Sequence, residues 1–329
     1  IYSDIRKFIN KKLKIKFDRW TSEQILYRED KIYKTFKYLN KKNLVYKKED
    51  AWWLKTSKFG DTKHEVLTRK NGQPTYFLSD IAYHQDKIKR GCKKIIDIWG
   101  ADHQGHIKRM EAAIKILNYK GGFEILISQI VRLKSGKKLT KRKGEIVELG
   151  ELINEVGLDI ARYFYLSKSL SSQMEFDLEL AKEQSEKNPV YYIQYAYVRI
   201  QSILTKSQIL NLKTQNYISK LKTIDYKLLT HPSELNLIRE LIKFPEIIED
   251  TVGDYQLQRL PEYGRNLATS FHQFYRDCKV LLATNDKRQM TRNKKNIELM
   301  KARIALILAT KIVLKNTLNL MGISTPEKM

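Results

Sequence analysis

At 329 residues with 42% hydrophobic content, the chain can build two domains with real cores; 30% charged residues with only 14 glycines and 6 prolines favour a helix-rich protein and exclude fibrous or broadly disordered classes. Two cysteines far apart, Cys92 and Cys278, exclude a disulfide framework and a zinc set and fit a reducing cytoplasm. The net charge of +25 points to a polyanionic partner, most simply nucleic acid, although the same lysine-rich balance also follows from an AT-rich coding sequence.

Residues 1 to 50 alternate apolar and basic residues at helical spacing, and Thr21-Ser22-Glu23 offers a polar helix start before Ile25 and Leu26. Ala51-Trp52-Trp53-Leu54 reads as a strand with both tryptophans in a core. Asn71-Gly72 between Val66-Leu67-Thr68-Arg69 and Thr75-Tyr76-Phe77-Leu78 predicts a hairpin. Ser79-Asp80 opens a helix that runs to Arg90 and stops at Gly91. Ile95 to Trp99 is a strand, Gly100-Ala101-Asp102-His103 a turn, and Gln104 to Leu117 a helix. Glu124 to Leu133 is β-prone. This order is that of a parallel α/β sheet, whose ligands sit beyond the carboxyl ends of the strands, where Asp80 and Asp102 fall.

Further on, Glu148 to Val156 reads as a helix closed by Gly157, and Asp159 starts another. From Pro189 the chain reads as almost purely helical. Ile193, Tyr197, Ile200 and Leu204 form one apolar stripe, and Ile304, Leu308 and Ile312 another. A looser connection is expected over residues 205 to 235, and Asn188-Pro189 is the expected domain boundary. The apolar stretch from Ile304 to Leu320 is interrupted by Lys311 and Lys315, so no membrane span is expected, nor a signal peptide.

Four groups of residues suggest chemistry. Between Lys134 and Lys143, lysines and an arginine crowd a loop bounded by Gly136 and Gly144. Lysines neutralise phosphate oxygens and glycines let main-chain N–H groups approach, so the loop suits a polyphosphate; a solvated basic loop is the plain alternative. Tyr76 and Asp80 together could grip a guanidinium, or be a helix-capping carboxylate beside a core tyrosine. Gly100 admits a flat ring against the backbone while Asp102 accepts ribose hydroxyls. His103 and His106 have no Cys or carboxylate partner to complete a metal site, so no protein-held metal is expected. Tyr191-Tyr192-Ile193-Gln194-Tyr195-Ala196-Tyr197-Val198-Arg199 interleaves aromatic and basic residues; some offer stacking platforms for unpaired bases, and Tyr197 reads as core.

Lys138-Leu139-Thr140-Lys141-Arg142 resembles the Lys-Met-Ser-Lys-Ser signature of class I aminoacyl-tRNA synthetases, with Leu for Met and Thr for Ser. The continuation Lys-Arg-Lys-Gly, and the run from Gly72 to His84, are similar to arginyl-tRNA synthetases. The resemblance covers essentially the whole chain, most specifically 72 to 109, 136 to 166 and 186 to 204. It implies a partial Rossmann-like α/β catalytic domain over 1–188 and an all-α anticodon-binding helical bundle over 189–329. It also implies that Tyr76 and Asp80 bind the arginine side chain, with His103 and Gln104 touching the amino acid. Gly100 and Asp102 would lie against the adenosine of ATP. Lys138 and Lys141 would serve the phosphates and the transition state, and Tyr192, Tyr195, Tyr275 and Met329 the anticodon of tRNA(Arg).

The implied activity is arginine–tRNA ligation with ATP and Mg²⁺ as substrates, by a cytoplasmic monomer without a tightly bound cofactor. The family's His-Ile-Gly-His signature and its N-terminal tRNA-elbow domain have no equivalent in this chain. The expectation is therefore a C-terminal portion, inactive by itself. The alternatives are a non-catalytic RNA-binding derivative, or another class I synthetase such as the cysteine enzyme, whose zinc-binding cysteines are missing here.

Overall fold

The computed structural model describes residues 2–134, 149–206, 221–281 and 294–329. They divide into two compact units, Ile1–Ile130 with Leu170–Gln173, and Val131–Ser169 with Met174–Met329. The boundary expected at Asn188-Pro189 falls inside the second unit. No helix among the described residues is long and apolar enough to cross a membrane.

The first unit starts with helices α1 (Tyr2–Lys11), α2 (Glu23–Arg28) and α3 (Lys31–Lys41). Strands β1 (Val45–Lys48), β2 (Ala51–Leu54) and β3 (Glu65–Val66) form an antiparallel meander in the order β1-β2-β3. Ser22 stands at the N-cap position of α2, where the polar start was expected, but its side chain makes no capping hydrogen bond. The expected hairpin keeps its turn: the Gly72 N–H donates to the Arg69 carbonyl and Gly72 has φ 79°, a left-handed value that suits glycine. Its second arm does not become a strand. Pairing ends at a single bridge, Thr68 to Pro74, and Tyr76 already opens helix α4 (Tyr76–Lys89) behind Thr75. Helical winding places Phe77, Leu78 and Ile81 on one buried face, which outweighs the β propensity of Thr75 to Leu78.

Strand β4 (Lys94–Gly100), a 3₁₀ segment Ala101–His106, helix α5 (Ile107–Ile116) and strand β5 (Gly122–Ser128) follow. β4 and β5 pair in parallel from Lys94↔Gly122 to Gly100↔Ser128, as the strand–turn–helix order predicts. The helix expected from Gln104 begins as the tighter 3₁₀ segment before it becomes α5. Leu39, Leu54, Leu67, Leu78, Ile81 and Ala113 are at the centre of one core, against which Trp52 packs partly buried. Fully burying each such leucine or isoleucine stabilises by about 1.5–3 kcal/mol.

The second unit carries strand β6 (Val131–Leu133), helices α6 (Leu149–Val156) and α7 (Leu158–Leu166), and strand β7 (Met174–Phe176), parallel to β6. Short helix α8 (Leu178–Lys182) precedes the helical bundle: α9 (Pro189–Lys206), α10 (Pro232–Ile242), α11 (Phe244–Asp254), α12 (Arg259–Asp277) and α13 (Lys294–Leu320). Helix α12 packs against α9, α10 and α13. In α9 the stripe holds for Ile193, Tyr197 and Ile200, with Ile203 rather than Leu204 fully buried. In α13 the expected stripe is wrong in phase. Ile304 is buried, but Ile312 is 50% exposed, and the inward face continues through Ile307, Thr310, Leu314 and Thr317. Within the expected loose connection, residues 207–220 lie outside the described residues.

Candidate functional site

In the first unit a cavity of about 830 Å³ opens between β3, α4, β4, the 3₁₀ segment and α5. Its size suits an amino acid or a larger small molecule. Tyr76 and Asp80 lie one helical turn apart at the start of α4, and both line it. His103 lines it too; Gln104, Gly100 and Asp102 do not.

Asp80 is open to solvent at the cavity mouth, yet enough protein surrounds its carboxyl that desolvation pushes it above the ordinary carboxylate range, with the nearby His84 acting against the rise. Its carboxylate has no hydrogen-bond or ion-pair partner among the described residues. A partly desolvated carboxylate with no partner among the described residues is an acceptor suited to a planar cation.

Below Asp80 is a network that the sequence reading missed. The His84 ring contacts the Asp80 backbone carbonyl through Nδ1 at 2.8 Å and Asp97 Oδ2 through Nε2 at 2.8 Å. Lys87 donates to Asp97 Oδ1 at 3.0 Å. His84 and Asp97 are both buried. Burial pushes the Asp97 carboxyl up, but the His84 hydrogen bond and charge, together with Lys87, outweigh it and hold the group below its ordinary range. The signal available in the sequence was a carboxylate inside Ile95-Ile96-Asp97-Ile98, where strand alternation turns Asp97 inward with Ile95.

On the opposite wall Arg109 donates to Glu65 at 2.7 Å, lies 2.9 Å from His106 Nδ1, and stacks over Phe77 at 5.7 Å. Its Nε is buried with no partner among the described residues. Past the end of β4, His103 Nε2 lies 3.4 Å from the exposed Asp102 carboxylate. A Cβ on Gly100 would come within 2.5 Å of Asp102 Oδ1, so only glycine lets that carboxylate fold back against the strand end. The basic-loop residues Lys138 and Lys141 lie outside the described residues.

The second unit has its own cluster, a cavity of about 400 Å³ between α9 and α12 that includes Tyr192, Tyr195, Arg199, His272 and Arg276. The rings of Tyr192 and Tyr195 lie 4.8 and 5.9 Å from His272. The Arg199 guanidinium sits between Tyr195 and Tyr275, 4.8 and 4.9 Å from their centroids, and donates to the Tyr195 hydroxyl at 2.7 Å. Tyr195 and Tyr275 remain more than a third exposed, whereas Tyr197 is buried as core. Met329 is exposed, and the preceding tail is tied to α7 and α9 by Asp159 and Gln194, which both bind Ser324. His272 and Arg276 were not singled out from the sequence, because more than 70 residues separate them from the tyrosine run and leave no local pattern.

Residues 2–169 match the family described as tRNA synthetases class I (R), catalytic domain, and residues 193–329 match the DALR anticodon binding domain. The chain is 41% identical over 319 residues to the arginine–tRNA ligase of Carboxydothermus hydrogenoformans, covering 96% of this chain and 54% of that protein. It is 42% identical over 329 residues to the arginine–tRNA ligase of Dehalococcoides mccartyi, covering 97% and 55%. A Campylobacter jejuni crystal structure assigned to arginyl-tRNA synthetase is 33% identical and superposes with a TM-score of 0.81 over 96% of this chain and 66% of that one. The Thermus thermophilus arginyl-tRNA synthetase structure, at 18% identity and a TM-score of 0.71 over 92% of this chain and 59% of that one, shares the fold. The chain thus spans about 54% of the length of the curated relatives it matches. With its first half matched as the arginine-type catalytic domain and its second as the anticodon-binding domain, the chain belongs to the class I arginyl-tRNA synthetase family.

Proposed function

We propose that the protein carrying this chain is an arginine–tRNA ligase. The observation that carries the reading is Asp80: an exposed carboxylate with no hydrogen-bond partner among the described residues, one helical turn from Tyr76 in an amino-acid-sized cavity, an acceptor suited to a guanidinium. Tyr76 and Asp80 hold the arginine side chain, with His103 and Gln104 near the rest of the amino acid. Gly100 and Asp102, at the carboxyl end of β4, hold the adenosine. Lys138 and Lys141 neutralise the phosphates and the charge that develops on them. ATP enters as its magnesium complex, the ion travelling with the phosphates as part of the substrate.

The reaction follows in two steps. The arginine carboxylate attacks the α-phosphorus of ATP, forming the mixed anhydride and releasing pyrophosphate. A ribose hydroxyl at the tRNA 3′ end then attacks the acyl carbonyl, forming the ester and releasing AMP. Little covalent work falls to the protein, which positions the partners and stabilises charge. Tyr192, Tyr195, Tyr275 and Met329 meet the anticodon loop, with exposed rings beside Arg199 as stacking surfaces. The working division is a catalytic part over 1–188 and a helical anticodon-binding part over 189–329, in a monomeric, cytoplasmic enzyme.

The test is arginine-dependent ATP–pyrophosphate exchange by the full-length protein in the presence of tRNA(Arg). Exchange that requires arginine and is not supported by lysine is expected. Absence of arginine-dependent exchange from a folded protein that still binds tRNA overturns the ligase reading in favour of an RNA-binding derivative.

A further inference from the structure

His84 is a buried titratable residue to which the proposed chemistry gives no role. Its ring bridges two elements. Nδ1 faces the carbonyl of Asp80, one turn earlier on α4, and Nε2 faces a carboxylate oxygen of Asp97 on β4. Both neighbours are acceptors only, so the ring satisfies both contacts in full when it carries two protons. Lys87 takes the other oxygen of Asp97, which fixes that carboxylate from a second direction. Phe123 closes the ring edge-on at 5.9 Å. A polar side chain this buried, with both its nitrogens committed, anchors the first turns of α4 to the sheet.

We infer that His84 is a positioning residue for Asp80: tethered to Asp97, it fixes the turn of α4 that presents the cavity carboxylate and places a compensating charge behind it. The inference rests on the reading that Asp80 receives the guanidinium of arginine. The charge balance around Asp80 supports it. Glu23 from α2 and Asp97 from β4 push the Asp80 carboxyl up together with desolvation, while His84 and Lys87 from α4 itself act the other way. The remaining charged groups of the cavity wall have local partners: Glu65 pairs with Arg109, which also meets His106, and His103 lies against Asp102, which stands outside the cavity. His84, with both ring nitrogens facing acceptors, thus helps hold Asp80 toward its ionised form.

The sign follows directly. Asp80 must be ionised to bind a guanidinium, so arginine binding is lost as pH falls through its pKa. A neutral residue at 84 lets that pKa rise further, and the acid limb moves to higher pH. The experiment measures the arginine KM, the ATP KM and kcat of the full-length protein across about pH 5.5 to 8. The variants are His84→Gln and His84→Asn, whose amides replace the Nε2 and Nδ1 donors respectively, with Asp80→Asn as the control. Both His84 variants are expected to raise the arginine KM about tenfold at the acid end and much less at the alkaline end, with the ATP KM near the parent value. An acid limb that stays at the parent position in whichever His84 variant folds, with activity reduced evenly at every pH, overturns the inference. An unchanged arginine KM in Asp80→Asn overturns the pocket reading instead, so the two failures are distinguishable.

Discussion

Arg303 of α13 donates to Glu234 of α10 at 2.6 Å across 69 residues of sequence, and Glu234 is only 1% exposed. The same carboxylate accepts the His231 backbone N–H at 2.9 Å, which closes a capping box at the start of α10. Arg303 also donates to the Lys279 carbonyl just past α12, so one guanidinium ties three helical segments together.

Removing one partner of such a pair leaves an uncompensated buried charge. Arg303→Ala is therefore expected to destabilise the chain by about 3–5 kcal/mol. Glu234→Gln, which keeps the shape and removes the charge, is expected to cost less. Urea unfolding followed by tryptophan-independent far-UV circular dichroism measures both. Equal stabilities of parent and Arg303→Ala would show that the pair contributes nothing.

Asp80→Asn tests the arginine pocket. The substitution is isosteric and leaves α4 intact, but it removes the charged acceptor, at a cost of about 2–5 kcal/mol in binding a guanidinium. The arginine KM of the full-length protein should rise steeply while the ATP KM moves little. A parallel rise in both would instead place Asp80 in general folding of the site.

In the α9–α12 cluster, Tyr195→Ala and Arg199→Ala should each weaken tRNA binding by about 1–3 kcal/mol, because each removes part of the same stacked arrangement. The double variant should lose less than the sum, since the two side chains share one contact. Filter binding against intact tRNA and a minihelix without the anticodon arm reads the effect. Losses of equal size for both RNAs would mean damage to the helical core.

His272 carries a pH dependence. Burial holds it below the ordinary histidine range; the Tyr192 backbone acts against that shift and the Arg199 charge with it. With the folded pKa below the unfolded value of 6.5, the unfolded chain binds more protons in between. Its stabilising contribution is fully present above that value and is lost as pH falls toward and through the folded pKa. Between about pH 7.5 and 5.5 the thermal midpoint of the parent should fall further than that of His272→Phe, which has no proton to take up. Identical pH slopes in differential scanning calorimetry would exclude His272 as the source.

Local patterns determined much of this protein. The Ser22 helix start, the Gly72 turn, the Gly91 and Gly157 stops and the strand–turn–helix run into Asp102 each depend on backbone chemistry within a few residues, so sequence alone reaches them. Tyr76 and Asp80 were legible as a pair only as neighbours, a strand end beside a helix start; the structure puts both on one helix, a turn apart. Other features depended on partners distant in sequence. Residues 304 to 309 are apolar at every position, so periodicity leaves the phase of α13 open, and only packing against its neighbours buries Ile307 and leaves Ile312 out. Thr75 to Leu78 looks like a strand until Phe77 and Leu78 find a helical core face. The His84–Asp97–Lys87 network and the His272–Tyr192 contact join residues 10 to 80 positions apart, and their charges are set by burial, which exists only once the chain has folded.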